Sequence, residues 1–291
     1  MTDIRQAAID LYDRYTHEGM DRRAFMAELT RIAGSAAAAS TLLAGIATSP
    51  AAAAITQAAD PRLTARRESW TLPGGRQMSG YVASARAGRG RRASVMVIHE
   101  NRGLNAHIED VTRRVALAGY HAVAPDFLSS LGGTPPDENA ARELIGKLDL
   151  AQATADGVAT LAELKRRRTG NGRAGAVGFC WGGAMVNRLA VNAGAALDAG
   201  VPYYGTAPAP AEAARVRAPL LIHLASLDAR VNATALPWGE ALKAAGKDVR
   251  MINHQGVNHA FNNDTSAERY DKAAADEAWA QTLAFFKAKL A

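Results

Sequence analysis

From Val95 onward, short continuous apolar runs alternate with stretches in which apolar residues return every three or four positions. The runs Val95–His99, His121–Pro125, Ala174–Gly178, Gly200–Tyr204, Pro219–Ala225 and Val249–His254 have the length of buried strands. The stretches Ile108–Ala118, Leu150–Arg168, Gly182–Val191, Leu236–Ala245 and Asp271–Leu290 have helical spacing. Between His121–Pro125 and Leu150, Gly132-Gly133 and Pro135-Pro136 mark a loop. The region Ser69 to Ala85 adds one or two early strands. Strand and helix alternating in this way predict an α/β fold, with a mostly parallel sheet covered on both faces. No internal repeat and no second domain break the pattern, so residues 55–291 read as one domain. In such sheets, functional groups gather on loops beyond the carboxyl ends of the strands.

The first 54 residues read differently. Arg22-Arg23-Ala24-Phe25-Met26 is a twin arginine followed by an apolar residue, and Ile32 to about Ala54 is uncharged and rich in small residues. The stretch ends in Thr48-Ser49-Pro50-Ala51-Ala52-Ala53-Ala54, which offers A-x-A cleavage points. This resembles a Tat export signal. It implies a periplasmic or exported product, a segment 1–54 outside the fold, and only transient contact with a membrane. The alternative is an amphipathic helix retained on a cytoplasmic protein.

Composition narrows the chemistry. The chain has 291 residues, 48% of them hydrophobic and 21% charged, an ordinary globular balance. The net charge of +6 is spread out, apart from Arg89-Gly90-Arg91-Arg92 and Lys165-Arg166-Arg167-Arg168. Those runs fit a solvated loop and a helix end better than a nucleic-acid surface, and no nucleic-acid partner is expected. A positive surface favours an anionic small molecule. The sole cysteine, Cys180, excludes an intramolecular disulfide. Neither H-x-x-x-H nor H-E-x-x-H occurs, so no metal and no cofactor are expected.

A lone cysteine is by default a small buried apolar residue. Here it sits in Gly178-Phe179-Cys180-Trp181-Gly182, between a strand and a helix. That is the nucleophile elbow G-x-S-x-G with cysteine in place of serine. A helix N-terminus behind Cys180 favours a thiolate, and the Trp181 amide is placed as an oxyanion donor. Asp228 follows the strand Pro219–Ala225, and His259 follows Val249–His254. The order nucleophile, acid, histidine is the one this chemistry requires. Taken singly, Asp228 reads equally as a helix cap and His259 as a loop histidine. His99, His121, His223 and His254 lie in or at the ends of strands and read as satisfied core or edge residues, and His107 opens a helix.

Together these motifs resemble the dienelactone hydrolase family of the α/β-hydrolase superfamily. The resemblance rests on Val97-Ile98-His99-Glu100-Asn101-Arg102-Gly103, Pro125-Asp126, Gly178-Phe179-Cys180-Trp181-Gly182-Gly183, Asp228 and His259-Ala260-Phe261. It implies a twisted sheet of about seven or eight strands, a Cys180–Asp228–His259 triad, and hydrolysis of an ester or lactone through an acyl-thioester. Glu100 matches the family glutamate beside the nucleophile, which holds the resting thiol protonated; the alternative is a loop carboxylate paired with Arg102. The Asn101 amide matches the second oxyanion donor. The family also binds a substrate carboxylate through arginines, one shortly after the histidine. Here Phe261-Asn262-Asn263-Asp264 contains none, which leaves Arg102 or Arg142 as substitutes. Three readings stay open: a dienelactone-type hydrolase, a broader carboxylesterase or thioesterase, and a dormant hydrolase fold that binds a ligand. The oligomeric state is open as well.

Overall fold

The computed structural model describes residues 4–47, 54–87 and 90–291. Eight strands form one sheet: β1 (Leu63–Thr71), β2 (Gln77–Ala85), β3 (Arg92–Ile98), β4 (His121–Pro125), β5 (Gly170–Phe179), β6 (Ala199–Tyr203), β7 (Leu220–Ala225) and β8 (Val249–His254). Their order is β1-β2-β4-β3-β5-β6-β7-β8. β2 runs antiparallel to both its neighbours, and every other pair is parallel. Six helices accompany the sheet: α4 (Ala106–Leu117), α5 (Glu138–Gly146), α6 (Leu150–Arg166), α7 (Trp181–Asn192), α8 (Ala229–Ala244) and α9 (Lys272–Leu290).

Alternate residues of a strand face opposite sides, and β3 shows the result. Val95 and Val97 join a core with Ile108 and Val115 of α4 and Phe286 of α9. Met96 and Ile98 join a second core with Leu161 of α6, Val186 of α7 and Trp238 of α8. The sheet is therefore buried on both faces, which explains the unbroken apolar runs of β3, β5 and β7.

The expected elements recur with two differences. α5 lies inside the stretch expected to be loop; Asp137 caps it through the Asn139 amide at 3.0 Å. α8 begins at Ala229, not near Leu236, because Asp228 is its N-cap and Pro237 is accommodated inside it.

The larger departure lies at the N-terminus. Residues expected to stand outside the fold form α1 (Ile4–His17), α2 (Arg22–Ala33) and α3 (Ala36–Ile46). These helices share a core of their own that includes Ile9, Leu11, Tyr12, Phe25, Leu29 and Ile46. Phe25 stacks on Tyr15 with 4.3 Å between ring centroids. The layer docks on loops beyond the carboxyl ends of the strands. Gln6 bonds Asn258, Arg102 donates to the Tyr12 hydroxyl at 2.6 Å, and Ser266 and Arg269 donate to the Ile46 carbonyl. Such contacts, 90 to 252 residues apart in sequence, leave no local pattern, so composition alone reads as a leader. Arg22 and Arg23 open α2, where Asp21 caps the helix, and both are exposed. The expected cleavage points at 48–53 lie outside the described residues, as does Arg89. Among the described residues no single helix is long and apolar enough to cross a membrane; α2 and α3 reach that length only together and are bent by 108°.

Candidate active site

Cys180 is the N-cap of α7, with φ 56° and ψ −113°. Its amide donates to the Tyr203 carbonyl at 3.1 Å, which pins the turn to β6. The flanking glycines are forced by close approach. A Cβ on Gly178 would stand 2.2 Å from the Gly182 carbonyl oxygen, and one on Gly182 2.3 Å from that of Ile98. Among the described residues, the non-glycine residues with positive φ are Cys180, Tyr204 and Ala260. All three border the same site, the distribution expected where backbone strain serves chemistry.

Asp228 has two tasks. One carboxylate oxygen accepts from the Val231 amide at 3.1 Å and caps α8, and the other meets His259 Nδ1 at 2.5 Å. The cap and the partner, posed as alternatives by the sequence, are the same residue. This pairing leaves Nε2 as the free face of His259, and that atom is buried with no hydrogen-bond partner among the described residues. One ligand-type atom each from His17, Cys180 and His259 lies within 4.8 Å of the others. Burial pulls the His259 pKa down, but the Asp228 carboxylate, through its charge and its hydrogen bond, and the nearby Cys180 sulfur outweigh it and hold it well above the ordinary histidine value. For Asp228 burial pushes up, while His259 and the Val231 amide prevail and hold it below the usual carboxylate value. Both directions describe one buried, charge-paired couple.

Glu100 is buried beside the same thiol. One of its oxygens accepts from Asn263 Nδ2 at 2.8 Å; the other is buried with no partner. The alternative pairing with Arg102 does not occur: Arg102 turns to Tyr12, and lies 3.7 Å from Glu138. Trp181 is the first residue of α7, so its amide has no acceptor within the helix. Asn101 lines both spaces that reach Cys180. His99, expected to be a satisfied core residue, is one: its Nδ1 meets the Glu100 carbonyl at 2.7 Å, its Nε2 accepts from the Phe127 amide, and its ring stacks on Trp181.

A cavity of about 310 Å³ opens on Cys180, lined by Thr16, His17, Asn101, Arg142, Trp181, Tyr204 and Arg230. Arg142 is on its wall, but its guanidinium lies over the Tyr15 ring at 4.2 Å and donates to the Tyr15 carbonyl and hydroxyl. Arg102 borders a larger cavity, about 420 Å³, that contains none of Cys180, Asp228 and His259. Sequence reasoning missed Arg230, whose Nε is buried without a hydrogen-bond partner among the described residues. Its position two residues after Asp228 was the available signal. It also missed His17, whose ring meets that of His259 edge-on at 5.0 Å and whose Nε2 lies 3.9 Å from Cys180 Sγ. No sequence pattern pointed there, because the residue sits in a segment that reads as a leader.

The dienelactone hydrolase family model matches residues 78–290, nearly all of the sheet together with Glu100, Cys180, Asp228 and His259 but not His17. The chain belongs to the dienelactone hydrolase family. Its relatives agree: an Escherichia coli K12 protein named "Putative carboxymethylenebutenolidase" is 31% identical over 258 residues, covering 83% of this chain and 93% of its own length. Protein usf of Aquifex pyrophilus is 32% identical, over 73% of this chain and 94% of its own. The crystal structure of a "Putative Dienelactone Hydrolase" from Klebsiella pneumoniae superposes with a TM-score of 0.68 at 28% identity, over 77% of this chain and 99% of its own. The sheet is thus that of an α/β-hydrolase, and the dienelactone hydrolase relationship supports hydrolase activity. A second family model, YqhI-like, matches residues 1–34, which hold α1 and α2.

Proposed function

We propose that the protein hydrolyses an ester or lactone with Cys180 as nucleophile, His259 as base and Asp228 as the group that orients the base. One observation carries this: Asp228 holds His259 Nδ1 at 2.5 Å, so that the buried Nε2 faces the thiol on its strained elbow. His259 accepts the thiol proton and Sγ attacks the carbonyl carbon. The C–O bond breaks, and the proton on His259 passes to the departing alkoxide, which in a lactone stays tethered to the acyl group. Oxyanion charge rests on the Trp181 and Asn101 amides. A water, deprotonated by His259, then attacks the thioester and releases the acid and the thiol. The space of about 20 Å³ among Cys180, His259 and Glu100 suffices for one water.

Glu100 acts as a gate: a carboxylate beside the sulfur disfavours the resting thiolate, which also slows its oxidation. The cavity favours a small acyl group bearing a carboxylate, because Arg230 offers an unused donor on its wall while Arg142 is already engaged. The same triad also serves simpler aryl esters and acyl thioesters. Export remains part of the reading: the exposed Arg22-Arg23 pair is open to a receptor that carries folded cargo. Fractionation of cells with a tagged chain tests it.

The test of the chemistry is a panel of lactones, aryl esters and acyl thioesters with wild-type and Cys180→Ala protein. Loss of all hydrolysis in the variant, by at least about 10³-fold, is expected. Retained turnover overturns the assignment, and the preferred member of the panel separates a lactonase from a broader esterase.

A further inference from the structure

We infer that His17, Cys180 and His259 form a binding site for a single zinc ion, with α1 supplying one ligand and the hydrolase sheet two. His17 Nε2 and Cys180 Sγ are 3.9 Å apart, and the three candidate ligand atoms lie within 4.8 Å of one another. Bonds of about 2.0–2.1 Å to nitrogen and about 2.3 Å to sulfur, in a tetrahedron, separate ligand atoms by roughly 3.3–3.8 Å. The required contraction is at most about 1.5 Å for the widest pair, within the reach of side-chain rotation.

Two further observations point to a ligand. His259 Nε2 is fully enclosed and has no partner among the described residues. Its other ring nitrogen is bound by the Asp228 carboxylate, the outer contact that fixes the tautomer of metal-binding histidines and strengthens them as ligands. Two imidazoles and a thiolate are a borderline-soft donor set, which favours zinc over magnesium or calcium. The cavity on the open side of Cys180 leaves a fourth position for water or a carboxylate. The surrounding charge is mixed: Asp13, Glu100 and Asp228 against Arg102, Arg230 and Arg269.

Bound zinc ties α1 to the sheet and occupies both the sulfur and Nε2, so the loaded protein is silent toward esters. That consequence rests on the proposed catalytic role of Cys180; binding itself does not.

The full-length protein, cleared of metal with a chelator, is titrated with Zn²⁺ by calorimetry and with Co²⁺ by absorption spectroscopy. One equivalent is expected to bind. The cobalt form should show a near-ultraviolet thiolate-to-metal band and the strong visible bands of a tetrahedral site. Cys180→Ser should lose the thiolate band, His17→Ala should weaken zinc binding by about 100-fold, and His17→Cys should restore it. Absence of the thiolate band, or unchanged zinc affinity in His17→Ala, overturns the site. If Cys180→Ala still hydrolyses esters while the band appears in the wild type, the catalytic reading fails and the zinc site stands.

Discussion

The sheet and the N-terminal layer meet across Cys180, and they are built by opposite means. On the sheet side, backbone geometry fixes each functional group: a strained elbow for Cys180, a helix cap for Asp228, and a left-handed residue directly after His259. On the layer side, contact is made by single hydrogen bonds between distant residues, such as Tyr12 on Arg102, Gln6 on Asn258 and the Ile46 carbonyl on Ser266. Groups whose mutual placement decides a reaction are held by rigid elements. Groups that only face the reaction sit on a layer with its own core, which is expected to separate without unfolding the sheet.

The largest expected effect tests the rigid side. Asp228→Asn should lower kcat by about 10²–10⁴-fold, because the base loses the partner that selects its tautomer and stabilises its cation. The pH profile should move with it. With His259 held above its ordinary value, the rising limb of the rate lies above the ordinary histidine range. With the Asp228 charge gone and burial still pulling down, the rising limb shifts to lower pH even as the plateau falls. Stability follows the same couple. The contribution of Asp228, whose pKa is depressed, is present above about pH 3.9 and lost as pH falls through its native value; that of His259, whose pKa is raised, is present below about pH 6.5 and lost as pH rises through its native value. The pair therefore supports the fold most between those two limits, a window that pH-dependent denaturant titration of wild type against Asp228→Asn reveals.

Next in size is removal of residues 1–54. Stripped of the layer, Cys180 should react with iodoacetamide about tenfold faster or more, since access then governs the rate. Equal rates would mean that the layer does not shield the thiol, and the comparison would break. Glu100→Gln should raise alkylation of the intact chain by a few-fold, by relieving repulsion of the thiolate. The smallest global effect belongs to Phe25→Ala. It should weaken the layer by about 3 kcal/mol yet shift the main melting transition little. Hydrogen exchange that loosens only α1 to α3 would sharpen the contrast, and a large drop in Tm would erase it.

Legibility in the sequence divides along the same line. The inner strands are readable because burial on both faces demands apolar runs, as in β4, whose ends the pattern locates. Cys180, Asp228 and His259 were readable because each follows such a run. β1 and β2 were blurred by the exposed face of β1, which weakens the signal. The early start of α8 was hidden because its cap is also the partner of His259. The layer was opaque for a different reason. Ala36–Ile46 carries no charge and reads as a leader, and what makes it structure is the Ile46 carbonyl meeting Ser266 and Arg269 far along the chain.

The bonds from Gln6 to Asn258 and from Ile46 to Ser266 span more than 200 residues. During synthesis, α1 to α3 emerge long before the loop after β8 that receives them. Contacts of such separation form late, because closing long loops costs entropy before any packing is gained. The order of assembly is therefore inverted: the helices made first are seated last, and Cys180 is closed off only after the sheet beneath it is complete.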